Sequence, residues 1–172
     1  MATIRSVSVE NRAVVSYEMD GDPVDGQIVS GKAFNNGVAS LTATSTPPVS
    51  MVYAAEITFA GSSSATDTQT IDLSDFEDIE GVAKDGQGLR VQVLHVITDP
   101  DNIGDVTIAG GASDPYEMFG AGNEIDLPPG TDMQLKFTDE LPTVSGDSAT
   151  LATDIDLTGN GSDVVKVLIA LG

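Results

Sequence analysis

The sequence predicts an all-β protein built as an antiparallel β-sandwich. From residue 49 to the C-terminus, short apolar or alternating segments recur, separated by clusters of Gly, Pro, Asp, Asn and Ser. This rhythm is typical of sandwiches and barrels. Because the turns are short and helical segments are few, we expect an eight-stranded, jelly-roll-like arrangement, with an immunoglobulin-like sandwich as the alternative.

Residues 1–48 form a loop-rich N-terminal segment in this interpretation. Residues 3–9 and 13–17 read as short strands, because Val and Ile recur there without helical periodicity. Residues 20–48 are rich in Gly, Asn and Pro, which predicts loops and at most short edge strands. The segment is either an arm that lies on a neighbouring subunit or an entry strand of the sandwich itself.

Residues 49–172 form the predicted β-sandwich domain. In its first strand, alternate apolar residues occupy one face: Met51, Tyr53, Ala55, Ile57 and Phe59. Residues 89–98 make the strongest pattern, which predicts a central strand with His95 on its inward face. Residues 74–80 could form one helical turn capped by Ser74. The eight predicted strands span 51–59, 70–73, 89–98, 106–109, 124–127, 133–138, 151–157 and 164–170.

The charge is extreme, with 27 acidic residues against 7 basic ones and a formal net charge of −20. Nucleic-acid affinity depends on Lys and Arg that neutralise phosphates, so we expect no nucleic-acid partner, and anionic membranes are repelled as well. The acidic residues are spread along the chain, which indicates a solvated surface. That surface suits either a salt-rich environment, which screens self-repulsion, or an abundant protein that must resist nonspecific association.

Cysteine is absent, which excludes disulfides and thiolate metal sites. No stretch approaches the roughly 18 consecutive apolar residues of a membrane span. The first residues lack the apolar core of a signal peptide, so we do not expect export through the Sec pathway.

Few residues could carry catalysis. His95 is the one histidine, and its inward position predicts a satisfied or partly buried core residue. No GxSxG elbow marks a nucleophile. We therefore predict that the protein is not an enzyme, with no catalytic, cofactor-binding or metal-binding residues and no cofactor. The alternative, a hydrolase on a jelly-roll scaffold, would depend on His95 or Asp99.

Two Asp-rich segments, 99–105 and 154–163, resemble calcium loops in composition. Hairpin turns explain the same residues, since Asp, Asn, Pro and Gly are turn formers and Asn160-Gly161 is a hairpin signal. Four glycines lack the strand-to-helix context of a phosphate loop and are predicted to occupy turns with positive φ: Gly110, Gly111, Gly120 and Gly122.

The order of the segments adds a resemblance. The segments are TIDL at 70–73, GLRVQVLH at 88–95, DVTIA at 105–109, GASDPY at 111–116, IDLPPG at 125–130 and MQLKF at 133–137. In this order, residues 68–172 resemble small β-sandwich structural proteins of tailed viruses, such as head decoration and minor capsid proteins. The resemblance implies a homotrimer on the outside of a capsid that contacts the major capsid protein or other virion proteins. The lysine-poor, aspartate-rich composition also resembles that of proteins from halophilic hosts and their viruses.

The function predicted from the sequence is thus a non-enzymatic virion structural protein at the capsid surface. The alternative is an extracellular or surface β-sandwich binding module; if it is cation-dependent, calcium would stabilise it. Aromatic residues make up 5% of the chain and Trp is absent, which disfavours an aromatic sugar-binding platform. The aromatic candidates for a subunit contact are Tyr53, Tyr116, Phe119 and Phe137.

Overall fold

A computed structural model describes the backbone of residues 7–17 and 30–41 and all atoms of residues 49–78, 81–137, 141–147 and 151–172. These residues contain no helix. The strands are β1 (Val7–Tyr17), β2 (Ser30–Leu41), β3 (Met51–Thr58), β4 (Thr66–Asp72), β5 (Phe76–Glu77), β6 (Ala83–Lys84), β7 (Val91–Thr98), β8 (Val106–Gly110), β9 (Glu124–Leu127), β10 (Asp132–Lys136), β11 (Asp154–Asn160) and β12 (Val164–Leu171).

Eight of these strands form two four-stranded antiparallel sheets, which confirms the predicted sandwich. One sheet has the order β10-β7-β12-β3 and the other has the order β4-β11-β8-β9. Among the eight, only β8 and β9 are consecutive strands that pair directly, and every other step crosses from one sheet to the other. This is the strand order of a jelly roll, as predicted, rather than that of an immunoglobulin-like sandwich.

The core lies between the two sheets, where alternate residues of facing strands meet. The inward residues of the central strands are fully or almost fully buried: Leu94, Val96, Val106, Ile108, Ile155, Leu157, Val165, Val167 and Ile169. The predicted inward residues of β3 also pack against this core. Tyr116 joins it from a loop, and its hydroxyl accepts a hydrogen bond from the Val91 amide at 3.0 Å and donates one to the Pro142 carbonyl at 2.7 Å.

Strand β7 lies between β10 and β12, so its predicted central position is confirmed. The sequence predicts that Leu89, Val91, Val93, His95 and Ile97 share its inward face. This is right for Leu89 and Val91, which belong to the core, and wrong from Val93 onward. The ladder with β12 shifts so that Leu171 pairs with Val91 and Ala170 with Val93, which leaves Gln92 as an extra residue. Such a bulge reverses the parity of all that follows. His95 and Ile97 therefore face outward.

The helical turn predicted at residues 74–80 is also wrong for residues 74–78, while residues 79 and 80 lie outside the described residues. Phe76 and Glu77 form β5, which pairs with β6 in a small two-stranded sheet. Ser74 caps no helix, because its amide and hydroxyl both donate to Asp72 Oδ1, at 2.8 and 2.6 Å. The carboxylate thus closes a turn that directs the buried Phe76 against Tyr53, with the ring centroids 6.0 Å apart in an edge arrangement.

In the N-terminal segment, β1 and β2 pair in an antiparallel sheet of their own. The 12-residue β2 contradicts the prediction of loops and at most short strands. The strand accommodates its Asn and Gly residues at a register shift. Glu10 pairs with Val38 and Arg12 with Asn35, so Asn36 and Gly37 lie at an irregularity of the ladder. The remaining predictions for this segment concern residues 1–6, 18–29 and 42–48, which lie outside the described residues. The boundary at residue 48 stays a prediction.

The turns at 99–105 and 160–163 are not hairpins, which corrects the sequence interpretation. Each connects strands of opposite sheets, β7 to β8 and β11 to β12. Positive φ is confirmed for Gly120 (89°) and Gly122 (68°) but not for Gly110 and Gly111. Gly111 is needed for close approach instead, since a Cβ atom there would overlap Asp154 Cβ.

Candidate functional site

The two outer faces of the sandwich differ in chemistry. The outer face of the sheet β4-β11-β8-β9, which we call the Thr/Asp face, carries Thr68, Thr70, Thr107, Asp126, Asp156 and Thr158. Its side chains bond to one another across the strands. Thr70 Oγ1 donates to Asp156 Oδ1 at 2.6 Å and Thr107 Oγ1 to Asp126 Oδ1 at 2.7 Å, while the Thr68 and Thr158 hydroxyls lie 2.8 Å apart. The face is therefore polar and largely satisfied by its own groups.

Carboxylates crowd at one end of this face. Asp154 pairs directly with Asp72 across the strands, and like charges in that position repel. Burial raises the pKa of the Asp154 carboxyl, and the negative charges of Asp72, Asp114 and Asp156 raise it further, against a hydrogen bond from Thr153 Oγ1 at 2.7 Å. Ionised Asp154 therefore opposes folding.

Replacing Asp154 with Asn should stabilise the protein at neutral pH by up to about 1 kcal/mol, because the amide oxygen still accepts the Thr153 bond and the charge is gone. A carboxyl with a raised pKa in the folded state contributes more stability as the pH falls through that pKa towards the ordinary Asp value. The gain should therefore shrink over that interval. Urea unfolding from pH 7 to pH 4 measures it. Asp126→Asn removes the same charge at an exposed position and should change stability little; equal gains in both variants would contradict the prediction.

The outer face of the sheet β10-β7-β12-β3, which we call the apolar-basic face, is less acidic. It carries Lys136 and Lys166, two of the four Lys and Arg residues whose side chains the structure describes, together with His95, and these are balanced by the carboxylates of Asp132 and Glu56. Ile97 is 37% exposed on it. Next to these residues lies a second apolar cluster of Val49, Val52, Val93 and Ala170, with Leu168 packed against it.

His95 lies on the apolar-basic face rather than in the core, which corrects the sequence interpretation. Its side chain is 29% exposed, and Nε2 lies 2.7 Å from Asp132 Oδ1. Its neighbours in register are Gln134 and Leu168, neither of which carries a nucleophile. The histidine thus has an orienting carboxylate but no Ser, Thr or Cys directly opposite it.

The fold brings the two Asp-rich segments side by side. Asn102 joins them by pairing with the Val164 backbone, with its Nδ2 3.0 Å from the carbonyl and its Oδ1 2.7 Å from the amide. Asp163 is fully buried and accepts bonds from the amides of Ile103, at 2.7 Å, and Asn160, at 3.1 Å. The Asp99 carboxylate accepts from the Asp101 amide at 2.9 Å. The sequence interpretation did not predict the contact between Ile103 and Asp163, because no local pattern links positions 60 residues apart.

These carboxylates are engaged as structural acceptors for backbone amides. Among the residues described with side chains, no group of three or more His, Cys, Asp or Glu residues is arranged to hold a metal ion. Cation binding by the Asp-rich turns stays a prediction of the alternative, the cation-dependent binding module.

The four aromatic candidates for a subunit contact have different environments. Tyr116 is fully buried in the core, so it is not available for such a contact. Tyr53, Phe119 and Phe137 are partly buried and pack against the core. Burial raises the pKa of the Tyr53 hydroxyl. Tyr53 is the candidate that lies on a strand at the edge of a sheet, β3.

No protein-family model, curated protein or solved structure matches the chain. The described residues include no helix that is long and apolar enough to cross a membrane.

Proposed function

We propose that the chain is a non-enzymatic structural protein of a virion, a capsid decoration or minor capsid protein on the particle surface. The observation that carries the proposal is the jelly-roll strand order of the two sheets. Jelly rolls form many viral capsid domains, although lectins and cupins use them as well. Because a fold does not define a function, the choice among these functions depends on the chemistry of the surface.

The use of polar side chains favours a structural role. The carboxylates of Asp72, Asp99 and Asp163 accept bonds from backbone amides, and His95 bonds to a carboxylate. Asp156 accepts bonds from Thr70 and from the Ala112 amide. These groups hold turns and strands in place, which is what a rigid shell component needs.

The surface charge supports a position on a particle in a saline medium. A net charge of −20 opposes nonspecific adhesion and repels nucleic acid and anionic membranes. The Thr/Asp face suits a solvent-facing surface, because its polar groups bond to one another. In this proposal the protein associates as a homotrimer and contacts the major capsid protein or other virion proteins.

The mass of the purified protein by light scattering, from low to molar salt and with or without calcium, tests the proposal. We expect a mass that is a multiple of three chains and does not change with chelator. A monomer that gains thermal stability only with calcium would overturn the proposal and favour a cation-dependent binding module, because a ligand that binds only the folded state stabilises it.

A further inference from the structure

Strand β3 lies at one edge of its four-stranded sheet. Within the described residues it pairs with β12 on one side only. An edge strand presents a row of unpaired N–H and C=O groups, which natural proteins usually protect with short length, charges, Pro or bulges. β3 has eight residues, no Pro and one charged residue, Glu56. That carboxylate already lies 3.3 Å from Lys166 Nζ.

The other three edge strands of the sandwich are better protected. β9 has four residues, two of them acidic, and is followed directly by Pro128. β10 has five residues with a charge at each end. β4 is longer, with seven residues, but Asp67 lies near its start on the inward-facing side of the strand. β3 is therefore the edge of the sandwich with the least defence against pairing.

We propose that two copies of the chain pair through β3, antiparallel and about a two-fold axis through Ala55. The two four-stranded sheets then form one continuous sheet, as in β-augmentation. Such a contact is isologous and closes after two copies. This pairing is an inference beyond the proposed function. The contact could join two trimers or two single chains.

The sequence of β3 is self-complementary in this register. On the inward face, the two Ala55 residues lie opposite each other at the axis. On each side of them, Tyr53 of one copy lies opposite Ile57 of the other. Pairs of an aromatic and a β-branched residue are favourable across strands. Tyr53 and Ile57 are both half-buried, so pairing would remove apolar surface that the single sandwich leaves exposed. On the outward face Glu56 lies opposite Ala54, which keeps the two carboxylates from facing each other.

Charge permits a second copy at this edge. Two chains of net charge −20 repel, so they must meet where acidic residues are few. β3 carries one carboxylate and borders the apolar-basic face, where Lys166 neutralises it. Because salt screens the overall repulsion, the contact should strengthen as salt rises.

The test is the light-scattering mass of the full chain and three variants across a salt series, compared at the lowest salt at which the wild-type chain keeps its high-salt mass, so that charges on the strand are not fully screened. Ala54→Glu places a second carboxylate opposite Glu56 of the other copy and should halve the mass. Ala54→Lys places an ammonium group there instead and should keep the wild-type mass into lower salt. Thr66→Glu, on the exposed outer side of the β4 edge, is the matched control and should also keep it. Retention of the wild-type mass by Ala54→Glu, or its loss in Ala54→Lys, would overturn this pairing.

A cross-link gives an independent readout if Ala54→Glu does not fold. The chain has no cysteine, so Ala55→Cys introduces a single thiol. In the proposed register the two thiols face each other across the axis, within reach of a disulfide. Oxidation in molar salt should yield a covalent dimer, and Thr66→Cys should not. Equal cross-linking in the two variants would also overturn the proposal.

Discussion

Replacing Asp163 with Ala is expected to lower the free energy of unfolding by about 3 kcal/mol, because two hydrogen bonds to a charged acceptor are lost at about 1.5 kcal/mol each. The carboxylate is fully buried, and its two donors are the Ile103 and Asn160 amides. Without it, both amides lose the acceptor that the structure gives them. Urea unfolding at fixed protein concentration measures the loss.

The control is Asp105→Ala, which removes an exposed carboxylate from the same group of turns. Surface changes of that kind usually alter stability by less than about 0.5 kcal/mol. Because Asp163 acts through backbone amides, its effect should be the same with calcium and with chelator. A loss that appears only in the presence of calcium would show that the carboxylate holds a cation, and would contradict the structural role given to it here.

The sequence predicted which segments become strands more successfully than it predicted how those strands meet. All eight strands of the sandwich were located, because the alternation of apolar residues is a local signal that survives in a single sequence. Their partners are not encoded locally. The turns at 99–105 and 160–163 have the composition of hairpins, but the same Asp, Asn and Gly chemistry also serves a chain that crosses between sheets.

The face of β7 shows a second limit. A strand of strict alternation would place Val91, Val93 and His95 together, but the bulge at Gln92 separates Val91 from the other two. Nothing in the run of apolar residues reveals a bulge, because residues on both sides of it are hydrophobic. The chemistry of the candidate surfaces depends on this detail, since it moves the one histidine of the chain from the core to the apolar-basic face.

Replacing Gly161 with Ala should cost about 3 kcal/mol of stability, at the upper end of what overpacking usually costs. A Cβ atom at this position would overlap the carbonyl carbon of Gly61, and it would lie 2.5 Å from the Gly61 carbonyl oxygen and 2.6 Å from the Ser62 oxygen. These are backbone atoms, so no side-chain rotation relieves the overlap. The Gly161 amide also donates to the Ala65 carbonyl at 2.9 Å, which holds the two turns together.

Gly122→Ala separates this steric effect from backbone strain. Gly122 has a φ of 68°, and a Cβ atom there would meet nothing within 4 Å. Alanine at that position should therefore lower the free energy of unfolding only by the strain of the left-handed conformation, about 1 kcal/mol. Urea unfolding of both variants at one protein concentration gives the comparison. If the two losses are equal, the turns at 61–65 and 161–163 are not in the tight contact described here. A much larger loss for Gly161→Ala means that the crossing between the two sheets depends on this contact.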